Sequence, residues 1–141
     1  MPSRIPTTDI LDGCSVLLVD DSYLVFRALQ RIFRRVGMET FFAQYASEAL
    51  DAAIEHKVDA IVLDINMSDS NGLELCKEIR AHPETQDTPI IIITATSDPD
   101  QHVGALNSGA DDFVSKPPNQ KVLLRRIATL VSQRRAADEN Q

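Results

Sequence analysis

Short apolar runs recur along the chain, and polar turns and helical periods fill the spaces between them. The runs are Ser15-Val16-Leu17-Leu18-Val19, Glu39-Thr40-Phe41-Phe42-Ala43, Ala60-Ile61-Val62-Leu63-Asp64, Ile90-Ile91-Ile92-Ile93-Thr94 and Asp112-Phe113-Val114. Apolar runs of this length, closed by turn residues, predict buried strands. The first, third and fourth lack polar alternation, as parallel strands covered on both faces do. Ile90 to Ile93 are β-branched throughout, which favours extended backbone.

The intervening stretches carry the helical period. After Ser22, a natural cap, Val25, Leu29, Ile32, Phe33 and Val36 form a stripe that Gly37 ends. Ser47 opens a second helix with Ala49, Leu50, Ala53 and Ile54 on one face. Gly72 to Ala81 makes a third, with Leu75, Cys76 and Ile79 inward and His82-Pro83 closing it. Asp98-Pro99 starts a fourth, in which Val103 and Leu106 are the expected apolar anchors and Gly109 the stop. Asn119 caps the last, whose stripe is Leu123, Leu124, Ile127, Leu130 and Val131.

Strict strand–helix alternation predicts an α/β fold: a five-stranded parallel sheet with helices on both faces. Right-handed crossovers bring all strand carboxyl ends to one edge. The flavodoxin-like order 2-1-3-4-5 is expected, with its switch point between the first and third strands. One domain over about residues 14–133 accounts for the pattern. Residues 1–13, polar with two prolines, read as a flexible lead-in, and 134–141 as a polar tail that frays.

Composition refines this picture. The chain has 141 residues, a net charge of -7, and 43% hydrophobic and 25% charged residues. That is an ordinary globular mixture, and its acidity argues against a general nucleic-acid surface. No segment approaches the roughly 20 apolar residues of a membrane span. The start lacks an apolar stretch of signal-peptide length. Cys14 and Cys76 have no partner at metal-ligand spacing, so a reduced, cytoplasmic setting is expected. His56, His82 and His102 share no ligand spacing and read as surface residues.

Four strand ends carry chemistry. The first ends in Asp20-Asp21, the third in Asp64, the fourth in Thr94, and Lys116 follows the fifth. The acidic groups fall on the two strands flanking the expected switch point, where ligands of such sheets bind. Singly, each has a plainer use: Asp20-Asp21 as a helix start, Asp64 as a turn residue, Thr94 as a strand end, Lys116 as a solvated loop residue. Together they define one pocket. Crowded carboxylates repel one another, and a hard divalent cation relieves the repulsion. Oxygen-only ligands suit Mg²⁺ or Mn²⁺ better than Zn²⁺. A carboxylate there can act as a nucleophile on phosphorus. A metal, an ammonium and a hydroxyl would neutralise the transferring oxygens, and Lys116 and Thr94 supply the last two.

Val19-Asp20-Asp21-Ser22, Leu63-Asp64-Ile65-Asn66-Met67, Gly72, Ile93-Thr94-Ala95, Gly109-Ala110-Asp111-Asp112-Phe113 and Lys116-Pro117 carry a resemblance. Over about residues 14–133 the chain resembles a bacterial response-regulator receiver domain. The resemblance implies a phosphorylation-dependent signalling switch rather than an enzyme. Asp64 would accept phosphate from a histidine kinase or a histidine phosphotransfer protein. Asp20, Asp21, Asp64 and the backbone carbonyl of Asn66 would hold Mg²⁺. Thr94 would move to the phosphoryl group and Phe113 would turn inward with it; plain core packing is the other reading of Phe113. Lys116 would pair with the phosphate, before a cis bond to Pro117. Output would pass through the last helix–strand–helix face, about residues 99–132, to a protein partner or a second copy, without direct nucleic-acid binding or membrane insertion.

The chain departs from the family where Ser68 replaces a common proline and in Asp69-Ser70-Asn71. The resemblance also puts Asn66 and Thr96 at the two variable positions that tune phosphate lifetime in that family. Two other classes compete. A small Asp-nucleophile phosphatase needs its acid two residues after the nucleophile, where Ser22 or Asn66 stands. A flavodoxin-type binder needs a Ser/Thr/Gly-rich cradle, where Asp20-Asp21 would repel phosphate.

Overall fold

The computed structural model describes residues 7–67, 71–95 and 99–139. In chain order the elements are α1 (Thr7–Leu11), β1 (Ser15–Val19), α2 (Tyr23–Arg35), β2 (Glu39–Ala43), α3 (Ala46–His56), β3 (Ala60–Asp64), α4 (Gly72–Ala81), β4 (Ile90–Thr94), α5 (Pro99–Asn107), β5 (Asp112–Ser115) and α6 (Gln120–Glu139). The strands form one sheet in the order β2-β1-β3-β4-β5, every pair parallel. This is the flavodoxin-like order expected from the alternation.

Strand alternation divides the core. Val16, Leu18, Ala60, Val62, Ile91, Ile93 and Val114 face α1, α2 and α6. Leu17, Val19, Ile61, Leu63, Ile90 and Ile92 face the small and aliphatic residues of α3, α4 and α5. All five residues of β3 and of β4 are buried, which is why neither run shows polar alternation.

Local signals place the helix ends. Ser22 Oγ accepts from the Val25 N–H at 3.3 Å, and Asn71 Oδ1 from the Leu73 N–H at 2.7 Å. Past α2, Gly37 takes a φ of +82°, a left-handed turn suited to glycine. There Met38 N–H reaches back to the Phe33 carbonyl.

Several expectations are corrected. Residues 7–11 are not loose: α1 packs on α6, and Leu11 is fully buried among Ile127, Ala128 and Val131. The adjacent pair Ile10-Leu11 was the only signal, too short to show a period. At the other end, α6 continues through Glu139 instead of fraying after residue 133. Arg134 donates to Thr88 Oγ1 and Arg135 to Cys14 Sγ, which ties those turns to the sheet base. The buried face of α2 is Phe26, Leu29 and Phe33, while Val25, Ile32 and Val36 are half-buried. Phe26 is turned in by stacking on Phe42 of β2, ring centroids 4.3 Å apart.

In α5 the large residues point out: Val103 is 56% and Leu106 46% exposed, whereas Ala105 and, just past the helix, Ser108 are buried. Gly104 lies on the side toward α4, where an added methyl group would sit in ordinary contact with Leu73, 3.4 Å away. The Asp98 cap, the loop 68–70 and Thr96 lie outside the described residues.

Arg80 of α4 is a further tie at the sheet base. It donates to the carbonyls of Gly109 (2.8 Å), Thr88 (2.6 Å) and Gln86 (3.1 Å) and to Asp111 Oδ2 (2.7 Å). The same Asp111 oxygen accepts the Ile90 N–H at 2.8 Å. One side chain thereby joins α4, the turn into β4 and the turn into β5.

Candidate functional site

β1 and β3 are neighbours although α2, β2 and α3 separate them in the chain, and this crossover sets their carboxyl ends side by side. Each strand delivers one buried carboxylate at its end, Asp20 and Asp64. The turns lock both side chains: Asp20 Oδ1 accepts the Ser22 N–H at 2.9 Å, and Asp64 Oδ1 the Asn66 N–H at 3.1 Å. Half-buried Asp21 completes a group whose ligand oxygens lie within 4.8 Å of one another.

Lys116 reaches the same point from β5. Its Nζ donates to Asp20 Oδ2 and to Asp64 Oδ2, each at 3.1 Å. The Lys116 N–H bonds the Thr94 carbonyl at 2.9 Å, and the Lys116–Pro117 peptide is cis. Thr94 is fully buried at the end of β4, one residue past Ile93, the register partner of Asp64.

α4 is pressed against the site. Gly72 N–H bonds the Ile65 carbonyl at 2.9 Å, and a Cβ on Gly72 would stand 2.5 Å from the Asp64 carbonyl oxygen. Only glycine permits that approach. The sequence placed Gly72 at a helix start but gave no sign that backbone crowds it.

Electrostatics follow from burial. Desolvation raises the Asp64 carboxyl above the ordinary carboxylate range, and the Asp20 charge adds to it. Hydrogen bonds and charge from Lys116, with the Asn66 N–H, offset part of this rise. Burial pulls the Lys116 ammonium down, but its bonds to Asp64 and Asp20 outweigh that and leave it raised. Two buried carboxylates and a third half-buried one, with no nitrogen or sulfur ligand among the described residues, make a hard-oxygen donor set. The site thus fits a small divalent cation such as Mg²⁺.

Asp20, Asp21, Asp64 and Lys116 therefore converge on one pocket, with Thr94 at the adjoining strand end. Phe113 stands apart. It is half-buried on β5, opposite Ile92, and packs against the core beneath α5. Arg126 of α6 was not anticipated here. Its Nη1 donates to Asp112 Oδ1 at 2.7 Å and to the Phe113 carbonyl at 3.0 Å, fastening β5 to α6 at the aromatic. An arginine among others on a polar helix face gives no such signal in the sequence. His56 stacks on Phe41 at 3.8 Å and His82 Nδ1 accepts the Glu84 N–H, both away from the site.

Comparison with known proteins agrees with this geometry. Residues 16–128 match the model of the response regulator receiver domain. The transcriptional regulatory protein GltR of Pseudomonas aeruginosa is 35% identical over 120 residues, 85% of this chain and 50% of that protein. The response regulator ArlR of Staphylococcus aureus is 37% identical over 116 residues, 82% of this chain and 52% of that protein. The chain thus spans about half the length of these relatives. The chemotaxis response regulator CheY4 of Vibrio cholerae superposes with a TM-score of 0.77 at 29% identity, covering 83% of this chain and 98% of that one. This chain belongs to the response-regulator receiver domain family of two-component systems.

Proposed function

We propose that the domain is a phosphorylation-controlled switch with Asp64 as the phosphoacceptor. The observation that carries this is the convergence of Asp20, Asp64 and Lys116 at two 3.1 Å contacts. Asp64 is fixed by the Asn66 N–H and held beside a cation. One of its carboxylate oxygens attacks the phosphorus of a phosphoimidazole on a histidine kinase or histidine phosphotransfer protein. A P–O bond forms, the P–N bond breaks, and its electron pair stays on the imidazole nitrogen. Asp20, Asp21 and Asp64, with the Asn66 carbonyl, would hold Mg²⁺ or Mn²⁺, which when bound supplies charge neutralisation for the phosphoryl oxygens. Lys116 pairs with a second oxygen, and the Thr94 hydroxyl donates to a third once it moves to the phosphate.

In this reading the Thr94 movement passes to Phe113, and from there to the face formed by residues 99–132. Val103, Leu106 and Val122 leave that face partly apolar, which suits a protein partner or a second copy. It leaves direct nucleic-acid binding and membrane insertion outside this domain's part. No helix among the described residues is long and apolar enough to cross a membrane. The proposed setting is the cytoplasm, where Cys14 and Cys76, both free, stay reduced.

Amide spectra recorded through a titration test the assignment. Mg²⁺ is expected to shift Asp20, Asp21 and Asn66, and beryllofluoride added afterwards to shift Thr94, Phe113 and residues 99–132. Beryllofluoride that shifts none of the latter would contradict the reading.

A further inference from the structure

The family match spans residues 16–128, so α1 and the last turns of α6 both lie outside it. These two parts pack on each other at the base of the sheet, opposite the acidic pocket. Leu11 is fully buried in the core cluster that includes Ile127, Ala128 and Val131, and half-buried Ile10 packs beside it. Cys14 Sγ donates to the Ile10 carbonyl at 3.3 Å and accepts from Arg135 at 3.1 Å, so the thiol lies between the two helices. The turn that follows is interlocked with the next one. Gly13 N–H bonds the Gly37 carbonyl at 2.9 Å, and a Cβ on Gly37 would run into the Asp12 side chain.

Little holds this segment apart from those contacts. A five-residue helix cannot sustain itself in water. The Cys14 carbonyl accepts the Glu39 N–H at 2.9 Å and β1 pairs with β2 from Ser15 onward, so Cys14 belongs to the sheet and α1 lies outside its strand pairing. Segments with few anchors open locally, below the cost of global unfolding. Past Val131, α6 is mostly exposed and is tied down through Arg134 to Thr88 and through Arg135 to Cys14.

We propose that Thr7–Gly13 is a strap over α6 that opens as a local unit. Opening loosens the last turns of α6 on the side of Arg135, while Arg134 stays bonded to Thr88 and the sheet stays folded. α6 starts just after the Lys116-Pro117-Pro118 turn and runs twenty residues, about 30 Å at 1.5 Å per residue, so one rigid element joins the strap to the pocket. Anything that engages the strap therefore acts on the helix that follows the Lys116-Pro117-Pro118 turn. The device does not depend on phosphoryl transfer.

The two thiols give a direct test, because both are fully buried and burial pushes both up, so neither is chemically primed. The full chain is treated with a disulfide thiol reagent under native conditions, and labelling is mapped by peptide mass. Cys14, beneath the strap, is expected to react at least tenfold faster than Cys76, in the α4 core, with little dependence on low urea. Ile10→Ser is expected to speed Cys14 about tenfold further, leave Cys76 unchanged, and raise deuterium exchange over residues 132–139. A common rate for both thiols, an equal acceleration of both, or unchanged exchange over 132–139 would each overturn the proposal. Arg135→Ala, at an exposed position, repeats the exchange measurement should Ile10→Ser lower expression.

Discussion

Asp64 is held in a state that costs the fold something. Burial raises its carboxyl, so the folded chain binds a proton there more readily than the unfolded chain does. The sign follows: stability attributable to this group falls as pH rises from the ordinary carboxylate value through the raised one. At neutral pH without metal, Asp64→Asn should therefore stabilise the protein, by about 1 kcal/mol or a few degrees in Tm. Thermal melts at pH 7 in the presence of a chelator check this; a variant that melts clearly lower would show that Lys116 more than repays the buried charge. The acidic residues and Lys116 were legible in the sequence because each follows an apolar run, and strand ends gather on one sheet edge. Arg126 and Arg80 were not, because an arginine on a helix looks the same whether it is solvated or aimed at a distant carbonyl.

Elements show the same division. β3 and β4 were plain as uninterrupted apolar runs, and the helices with wide stripes were found within a residue or two at their starts, although α6 runs on to Glu139 past its stripe. α5 was read with its faces reversed, since large apolar residues were assumed to point inward. It turns Ala105 into the core and leaves Val103 and Leu106 in solvent. Replacing both with serine should change stability by no more than about 0.5 kcal/mol while weakening any partner or self-association of the 99–132 face. Denaturant melts and sedimentation of the beryllofluoride-treated protein separate the two effects. Arg80→Ala acts oppositely. It leaves the carbonyls of Gly109 and Thr88 and the Asp111 carboxylate short of a donor, so a loss of about 2–3 kcal/mol is expected in urea unfolding, with the acidic pocket intact.

At the scale of the molecule, one sheet edge carries the chemistry and the other carries the ties. Asp20, Asp64, Thr94 and Lys116 occupy the carboxyl edge, while Arg80, Arg134, Arg135 and the strap close the opposite one. The topology was legible because alternation and right-handed crossovers leave few arrangements open. The closure of the base was not, since it depends on long-range contacts between chain ends whose local sequence is polar. Through this carboxyl edge, in the proposed function, Asp64 becomes the phosphoacceptor. Incubation with a small-molecule phosphodonor and Mg²⁺, followed by intact mass, is the decisive experiment. The wild-type chain should gain one phosphoryl group, lose the gain when Mg²⁺ is chelated beforehand, and show none in Asp64→Asn. A wild-type chain that gains nothing, or an Asp64→Asn chain that gains as much, would rule Asp64 out as the acceptor.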